Sequence, residues 1–352
     1  MPHLLVLRFS AMGDVLMTVP VIDSFARQYP DVRITVCSRA WARPIFDLLP
    51  PNVKFVAAHL KDEHKGFKGL NLLGRRLLAL QPTHVADLHD VLRTKWLRMR
   101  FALAGKHVQA IRKDRRARRR FIAAPVKTPQ RSIFEKYADV FRRLGFQAFR
   151  VDFHSLYPAG GADLATLLPH FDTTLRPEAH WVAVAPFATY EGKIYPLDLM
   201  EQVVTRLAER GDVRVFLFGA GKAECETLEA WAARHPQHVE SIAGRLNGLA
   251  EEAALISHCR VMVAMDSANM HLASLVAVPV VSIWGATHPC GGFLGYGQRM
   301  EDAVQRTDLT CRPCSTYGNR RCQRGDYPCL RDISPEEIVR RVEDKLKAAT
   351  RR

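Results

Sequence analysis

The chain has 352 residues, 47% hydrophobic and 25% charged, with a formal net charge of +15. That length is too great for one ordinary core and suits two domains of roughly 150 residues or more each. No apolar run approaches the roughly 20 residues that cross a bilayer, and the start MPHLLVLRFS lacks the layout of a secretion signal. A cytoplasmic chain is expected. The positive balance calls for a partner: nucleic acid, an anionic membrane surface or a phosphorylated substrate.

Residues 4–9, LLVLRF, read as a buried strand, followed by the turn Ser-Ala-Met-Gly-Asp and by VLMTVPVIDSFARQY at helical spacing. The RFSAMGD loop therefore lies at a carboxyl edge of a first sheet. Gly13 permits a turn, and Asp14 opens a helix where an acid is electrostatically favoured; a plain helix-start residue is the alternative. VRITVCS, VKFVAAH, THVADLHD and HVQAIRK continue as strands, with helices near 40–49, 70–80, 91–104 and 132–144. Strands alternating with helices predict a parallel, doubly wound sheet. Arg93 to Arg120 is strongly basic: it holds RTKWLRMR on a helix and seven cations among nine residues from Arg112 to Arg120. Such a run gains from a polyanion, whether phosphorylated lipid headgroups, inner-leaflet lipid or RNA. No RNA-binding signature accompanies it, so nucleic acid is the minor reading.

YPAGGAD and HFDTTLRPE predict a linker over 156–178 between a first domain, 1–155, and a second, 179–333. The second opens with strand HWVAVAPF and loop ATYEGKIYP. Helix 197–210, strand VRVFLF, the turn GAGKAE, strand-like HVESIAG and helix 249–258 follow. Gly219 and Gly221 stand in a strand-to-helix turn, but Glu224 occupies the third position of the dinucleotide fingerprint, which fails. Glu224 suits ribose hydroxyls and Lys193 a phosphate. The unit VMVAMDSANMHLASLVAVPVVSIWGATHP, 261–289, reads as two buried parallel strands joined by one helix. Ser267 is placed to cap that helix, Asp266 to orient the loop or accept from a sugar hydroxyl, and His271 lies on the same helical face as Ser267. The alternative is a capped helix with a packed histidine. SPEEIVRRVEDKLKAATRR predicts a C-terminal helix over 334–352.

Together RFSAMGDVLMTVP, GKIYP, FGAGKAE and DSANMHLASLVAVPVVSIWGATHP resemble the bacterial lipopolysaccharide heptosyltransferases of glycosyltransferase family 9, in order and spacing over nearly the whole chain. The resemblance implies an α/β GT-B architecture: two Rossmann-like domains facing across a cleft, acceptor domain first and nucleotide-sugar domain second, with the last helix returning toward the first. It implies inverting transfer of a heptose from an ADP-sugar, with Asp14 as general base and Ser10 and Gly13 beside the acceptor. Thr189, Lys193, Glu224, Asp266, Ser267, Ala268 and His271 become the donor residues. Arg93, Lys95, Arg115, Arg116, Arg118, Arg119 and Arg120 become the acceptor residues, facing a phosphorylated lipid A and inner core at the inner face of the inner membrane. No metal is required for catalysis. The chain departs from the family's pattern at Ala268 and Asn269, where Gly-Pro is common, and at Tyr195, where many members carry Trp; both are read as differences of specificity.

Cys311, Cys314, Cys322 and Cys329 form C-x2-C-x7-C-x6-C in a polar loop. This spacing suits a structural tetrathiolate zinc, with free or disulfide-forming thiols and an iron–sulfur cluster as alternatives. Two rival functions remain open on the sequence: a nucleotide-dependent enzyme of another class on paired Rossmann-like domains, and a non-catalytic protein binding anionic lipid or RNA.

Overall fold

The computed structural model describes residues 1–166 and 179–350. The chain divides into two compact units, Met1–Asp114 with Arg131–Leu156, and Arg115–Gln130 with Tyr157–Arg352. The linker expected over 156–178 therefore lies partly outside the described residues.

The first unit begins β1 (His3–Leu7), α1 (Met12–Leu16), α2 (Val19–Gln28), β2 (Arg33–Ser38), α3 (Arg43–Phe46) and β3 (Val53–Ala57). It continues α4 (Gly66–Ala79), β4 (His84–Asp87), α5 (Leu92–Leu103) and β5 (His107–Ala110). The chain then contributes α6 (Arg115–Ala123) to the second unit and returns with α7 (Ile133–Arg143). All strand pairs are parallel, in the order β3-β2-β1-β4-β5. β1 is central and wholly buried, which is why its sequence is an unbroken apolar run. The single helix expected after the first turn is two, because Pro20 occupies the opening turn of α2 and the chain re-starts there.

The second unit runs β6 (His180–Ala185), α8 (Leu197–Glu209), β7 (Val213–Leu217), α9 (Lys222–Arg234), β8 (Val239–Ser241) and α10 (Leu249–Ile256). β9 (Val261–Met265), α11 (Ala268–Leu275), β10 (Val280–Ile283), β11 (Ala303–Val304), α12 (Pro328–Arg331) and α13 (Pro335–Thr350) complete it. Its parallel order is β11-β10-β9-β6-β7-β8. Ser334 Oγ accepts from Glu337 N at 3.3 Å and opens α13, whose Ile338, Val342 and Leu346 are buried in the core of this unit. The last helix belongs to the second unit, packed on α8 and β9.

Each sheet reverses its strand order once, between β1 and β4 in one and between β6 and β9 in the other. Loops diverge beyond the carboxyl ends of such strands, leaving a crevice into which side chains and ligands fit. Those two edges carry the site residues.

Candidate active site

At the switch point of the first unit, the loop after β1 places Arg8 and Asp14 together. Arg8 is nearly buried; its guanidinium bonds Asp14 Oδ2 at 2.8 Å and donates to the Leu88 carbonyl, beyond β4, at 2.6 Å. Asp14 Oδ2 also accepts from Ala11 N at 3.2 Å, so the carboxylate closes the first turn of α1, and Tyr137 Oη donates to the Asp14 carbonyl at 3.3 Å. The Asp14 side chain keeps 24% of its surface exposed. It is held in place yet open to a reactant. Ser10 Oγ lies 3.4 Å from His89 Nε2. His89 is buried beside Arg8, Lys113 and Arg93; burial first, then those cations, depresses its pKa from 6.5 to about 3, so it is a neutral imidazole. Asp87, fully buried at the end of β4, turns the following loop by accepting from His89 N and Asp90 N, both at 2.9 Å.

The second unit repeats the arrangement between β6 and β9. A 3-10 turn over Glu191–Lys193 brings Lys193 Nζ to 2.9 Å from Asp266 Oδ2, and Thr287 Oγ1 donates to the same oxygen at 2.8 Å. Asp266 thus ties the Glu191–Lys193 turn to the Thr287 turn. Ser267 stands at the N-cap of α11 with extended backbone, but its hydroxyl makes no capping bond; Oγ is buried without a protein partner. The expected capping bond is absent. His271 is buried within α11. Ala268 is half-buried at the helix start, and Thr189 is exposed in the loop after β6. Glu224 folds back to accept from Ala220 N at 2.8 Å, stapling the turn before α9. Gly219 keeps that turn tight: a Cβ would meet Leu228 Cδ1 at 2.8 Å, and the leucine would have to shift.

Arg312, within the cysteine loop, went unremarked in the sequence. Its buried guanidinium donates to the carbonyls of Gly285 at 2.9 Å and of Trp284 and Thr287 at 3.0 Å each. Cys314 N bonds Ala286 O at 2.9 Å, and Gly318 lies so close to Lys193 that a Cβ would approach its Cγ to 2.5 Å. The cysteine loop is thus the scaffold of the Trp284–His288 turn and of Lys193. The thiols of Cys311, Cys314, Cys322 and Cys329 lie near enough to influence one another's ionisation; burial raises Cys329 to about 11 despite Arg312. All four are free, and among the described residues no group of three or more Cys, His, Asp or Glu is gathered as metal ligands.

The basic run falls in two places, not one. Arg93 and Lys95 lie exposed on α5 of the first unit, but Arg115 to Arg120 form α6, which packs on the second unit. The acceptor-domain placement of those arginines is corrected. The physical cause is the helix's other face: Phe121 is buried edge-on to His288, with ring centroids 5.9 Å apart. Arg118 lies over Phe293 at 5.3 Å and donates to Tyr317 Oη at 2.8 Å, while Arg115, Arg116, Arg119 and Arg120 remain exposed. Lys127 Nζ closes the helix by donating to the Ile122 carbonyl at 2.9 Å and to that of Ala124. Phe121, Ile122 and Arg118 with Asp266, Thr287 and His288 border a small pocket within the second unit.

The family model of glycosyltransferase family 9 (heptosyltransferase) matches residues 71–321. The chain belongs to this family. Lipopolysaccharide heptosyltransferase 1 of Pseudomonas aeruginosa is 24% identical, covering 98% of each chain. The structure resembles that of Escherichia coli ADP-heptose LPS heptosyltransferase II, at 18% identity, TM-score 0.72 and coverage of 99% of this chain and 100% of that one. It also resembles the iron-containing dodecameric glycosyltransferase TibC of enterotoxigenic E. coli, at 16% identity and TM-score 0.56, over all of this chain and 80% of that one. The fold is GT-B, and the protein is a glycosyltransferase of the heptosyl-transferring family.

Proposed function

We propose that the protein moves a heptose from an ADP-sugar to the inner core of lipopolysaccharide with inversion at the anomeric carbon. Asp14 carries the reading: a carboxylate at a sheet switch point, fixed by Arg8 and Ala11 N yet partly open. Its free oxygen takes the proton of the acceptor hydroxyl as that oxygen bonds the anomeric carbon; the bond from that carbon to the diphosphate breaks, and ADP leaves with the electron pair. A carboxylate suffices because the hydroxyl turns acidic only as the new bond forms.

On the donor side Lys193 and Thr189, with the amides at Ser267 and Ala268, stabilise charge growing on the diphosphate. Lys193 is pre-positioned by Asp266, and the unpartnered Ser267 hydroxyl is a donor in want of an acceptor. Glu224 reaches ribose hydroxyls with the oxygen that does not staple Ala220, and His271 supports the loop from within α11. Ser10, Gly13, Arg93 and Lys95 meet the phosphorylated acceptor, and the exposed arginines of α6 add cations from the second unit. The enzyme works in the cytoplasm against the inner leaflet; no helix of the described residues is long and apolar enough to cross a membrane.

Catalysis takes no metal in this reading. The four cysteines lie near one another beside Arg312 but are not gathered as ligands among the described residues; a structural zinc, or iron as in TibC's description, would have to draw them together and would then cross-link the loop that scaffolds Lys193. Elemental analysis of protein purified without chelator tests this; absence of both metals removes it.

The test of the function is nucleotide release from a panel of nucleotide sugars, ADP-heptose included, with and without a deep-rough lipopolysaccharide acceptor. Acceptor-dependent ADP release falling about 10²–10⁴-fold in Asp14→Asn, with nucleotide affinity unchanged, is expected. Release that persists in the variant would reject Asp14 as base.

A further inference from the structure

Helix α5 has two apolar faces, and only one is used. Thr94, Leu97 and Phe101 are fully buried against the first unit's core. On the opposite side Leu92, Trp96, Met99 and Leu103 recur at intervals of four, three and four residues, a stripe only about 60° wide on a helix of 3.6 residues per turn. Leu92 is 86% exposed, Leu103 82% and Met99 45%. Phe67 of α4, 61% exposed, lies against Trp96 with ring centroids 4.5 Å apart and lengthens the ridge. Scattered single leucines need no explanation, but an ordered second stripe costs solubility and calls for a cover.

The surrounding charge says which cover. α4 and α5 hold seven Lys and Arg and no acid. Arg93 and Lys95 flank the stripe on either side, where their stems can lie along the apolar surface with the charges outermost. Acids paired with these cations are Asp87 and Asp90, 3.4 Å and 3.5 Å from Arg98, Asp90 also 4.0 Å from Lys95, and Glu63, 2.5 Å from Arg76; they leave an excess of cations.

We propose that the α4–α5 ridge is an in-plane membrane anchor, its apolar stripe entering the acyl boundary of an anionic leaflet and its flanking cations meeting the headgroups. The proposal deepens, and rests on, the reading of a lipid-linked acceptor: the anchor holds the enzyme on the surface that presents it.

The test is co-sedimentation with vesicles of phosphatidylethanolamine and phosphatidylglycerol, comparing the parent with Leu92→Gln/Leu103→Gln. Both side chains are so exposed that folding is spared, which thermal denaturation checks. Binding should fall at least about tenfold, by loss of two buried leucines, while turnover on a deacylated, water-soluble acceptor stays unchanged. Equal binding by the variant overturns the anchor. So does a parent that ignores vesicles but forms a dimer dissociated by the two substitutions, since the cover would then be a second copy. Ridge-dependent vesicle binding without turnover on any lipopolysaccharide acceptor would support the anchor and indict the acceptor reading instead.

Discussion

The two units solve one geometrical problem twice, with opposite emphasis. Each sheet ends its switch point in an aspartate ion-paired to a cation from the neighbouring strand's loop or its own: Asp14 with Arg8 at 2.8 Å, Asp266 with Lys193 at 2.9 Å. In the first, the cation is the buried partner, locked to the Leu88 carbonyl, and the acid is the more open. In the second, the acid is the deeper partner, locked by Thr287, and the lysine is the more open. The open member of each pair is the one free to act, which suits the roles proposed above: proton transfer for Asp14 and anion stabilisation for Lys193.

The largest effect expected from this contrast is at the open members. Lys193→Met should lower turnover about 10²–10³-fold, as loss of one preorganised donor to a developing charge does, and should weaken nucleotide-sugar binding. Asp266→Asn keeps a hydrogen-bond acceptor for Thr287 and should cost less than Lys193→Met in the same nucleotide-release assay. If Asp266→Asn proves the more damaging of the two, the assignment of roles in the second unit is inverted.

Next in size is Arg312→Gln. It strips three carbonyls of the Trp284–Thr287 turn of a buried donor, and each unsatisfied group costs about 1–3 kcal/mol. A loss of roughly 3 kcal/mol in urea unfolding is expected, with a rise in donor KM because the turn carries Thr287. A structural role alone would lower stability and leave KM for the donor untouched, so an unmoved KM speaks against positioning of the donor loop. Arg312→Lys, which restores charge but cannot fork between carbonyls, should rescue only part of either effect.

What the sequence disclosed divides along the same line. The central strands were readable because strands buried on both faces are unbroken apolar runs, and Asp14, Lys193 and Asp266 because each lies in the turn or loop that leaves such a run. Their partners were not: Arg8 reaches a carbonyl 80 residues away, and Arg312 carbonyls 25 to 28 residues away. Pairings at that separation are products of the sheet order, which periodicity does not encode. α6 was hidden for another reason. Its arginines dominate the local pattern, while Phe121 and the aromatic seat of Arg118 decide where it docks.

The smallest effect is a pH dependence, and it separates the two loops through their histidines. His89 beside Asp14 and His288 beside Thr287 have pKa values lowered from 6.5 to about 3 and about 4, in both cases by burial first and by neighbouring cations second. Below pH 6.5 the unfolded chain takes up protons that the folded chain refuses, so stability rises with pH across this window and is lost as pH falls from 6.5 toward 3. For the well-buried His89 the loss is about 1.4 kcal/mol per pH unit, or roughly 2 kcal/mol by pH 5. Urea midpoints at pH 7 and pH 5 measure it. His89→Gln, which keeps a hydrogen-bonding group near Ser10, should shrink the difference by that amount; His288→Gln, at a less buried site, should shrink it less. A His89→Gln protein that weakens between the two pH values as much as the parent would mean that His89 does not cause the dependence, and the depressed pKa given to it would be wrong.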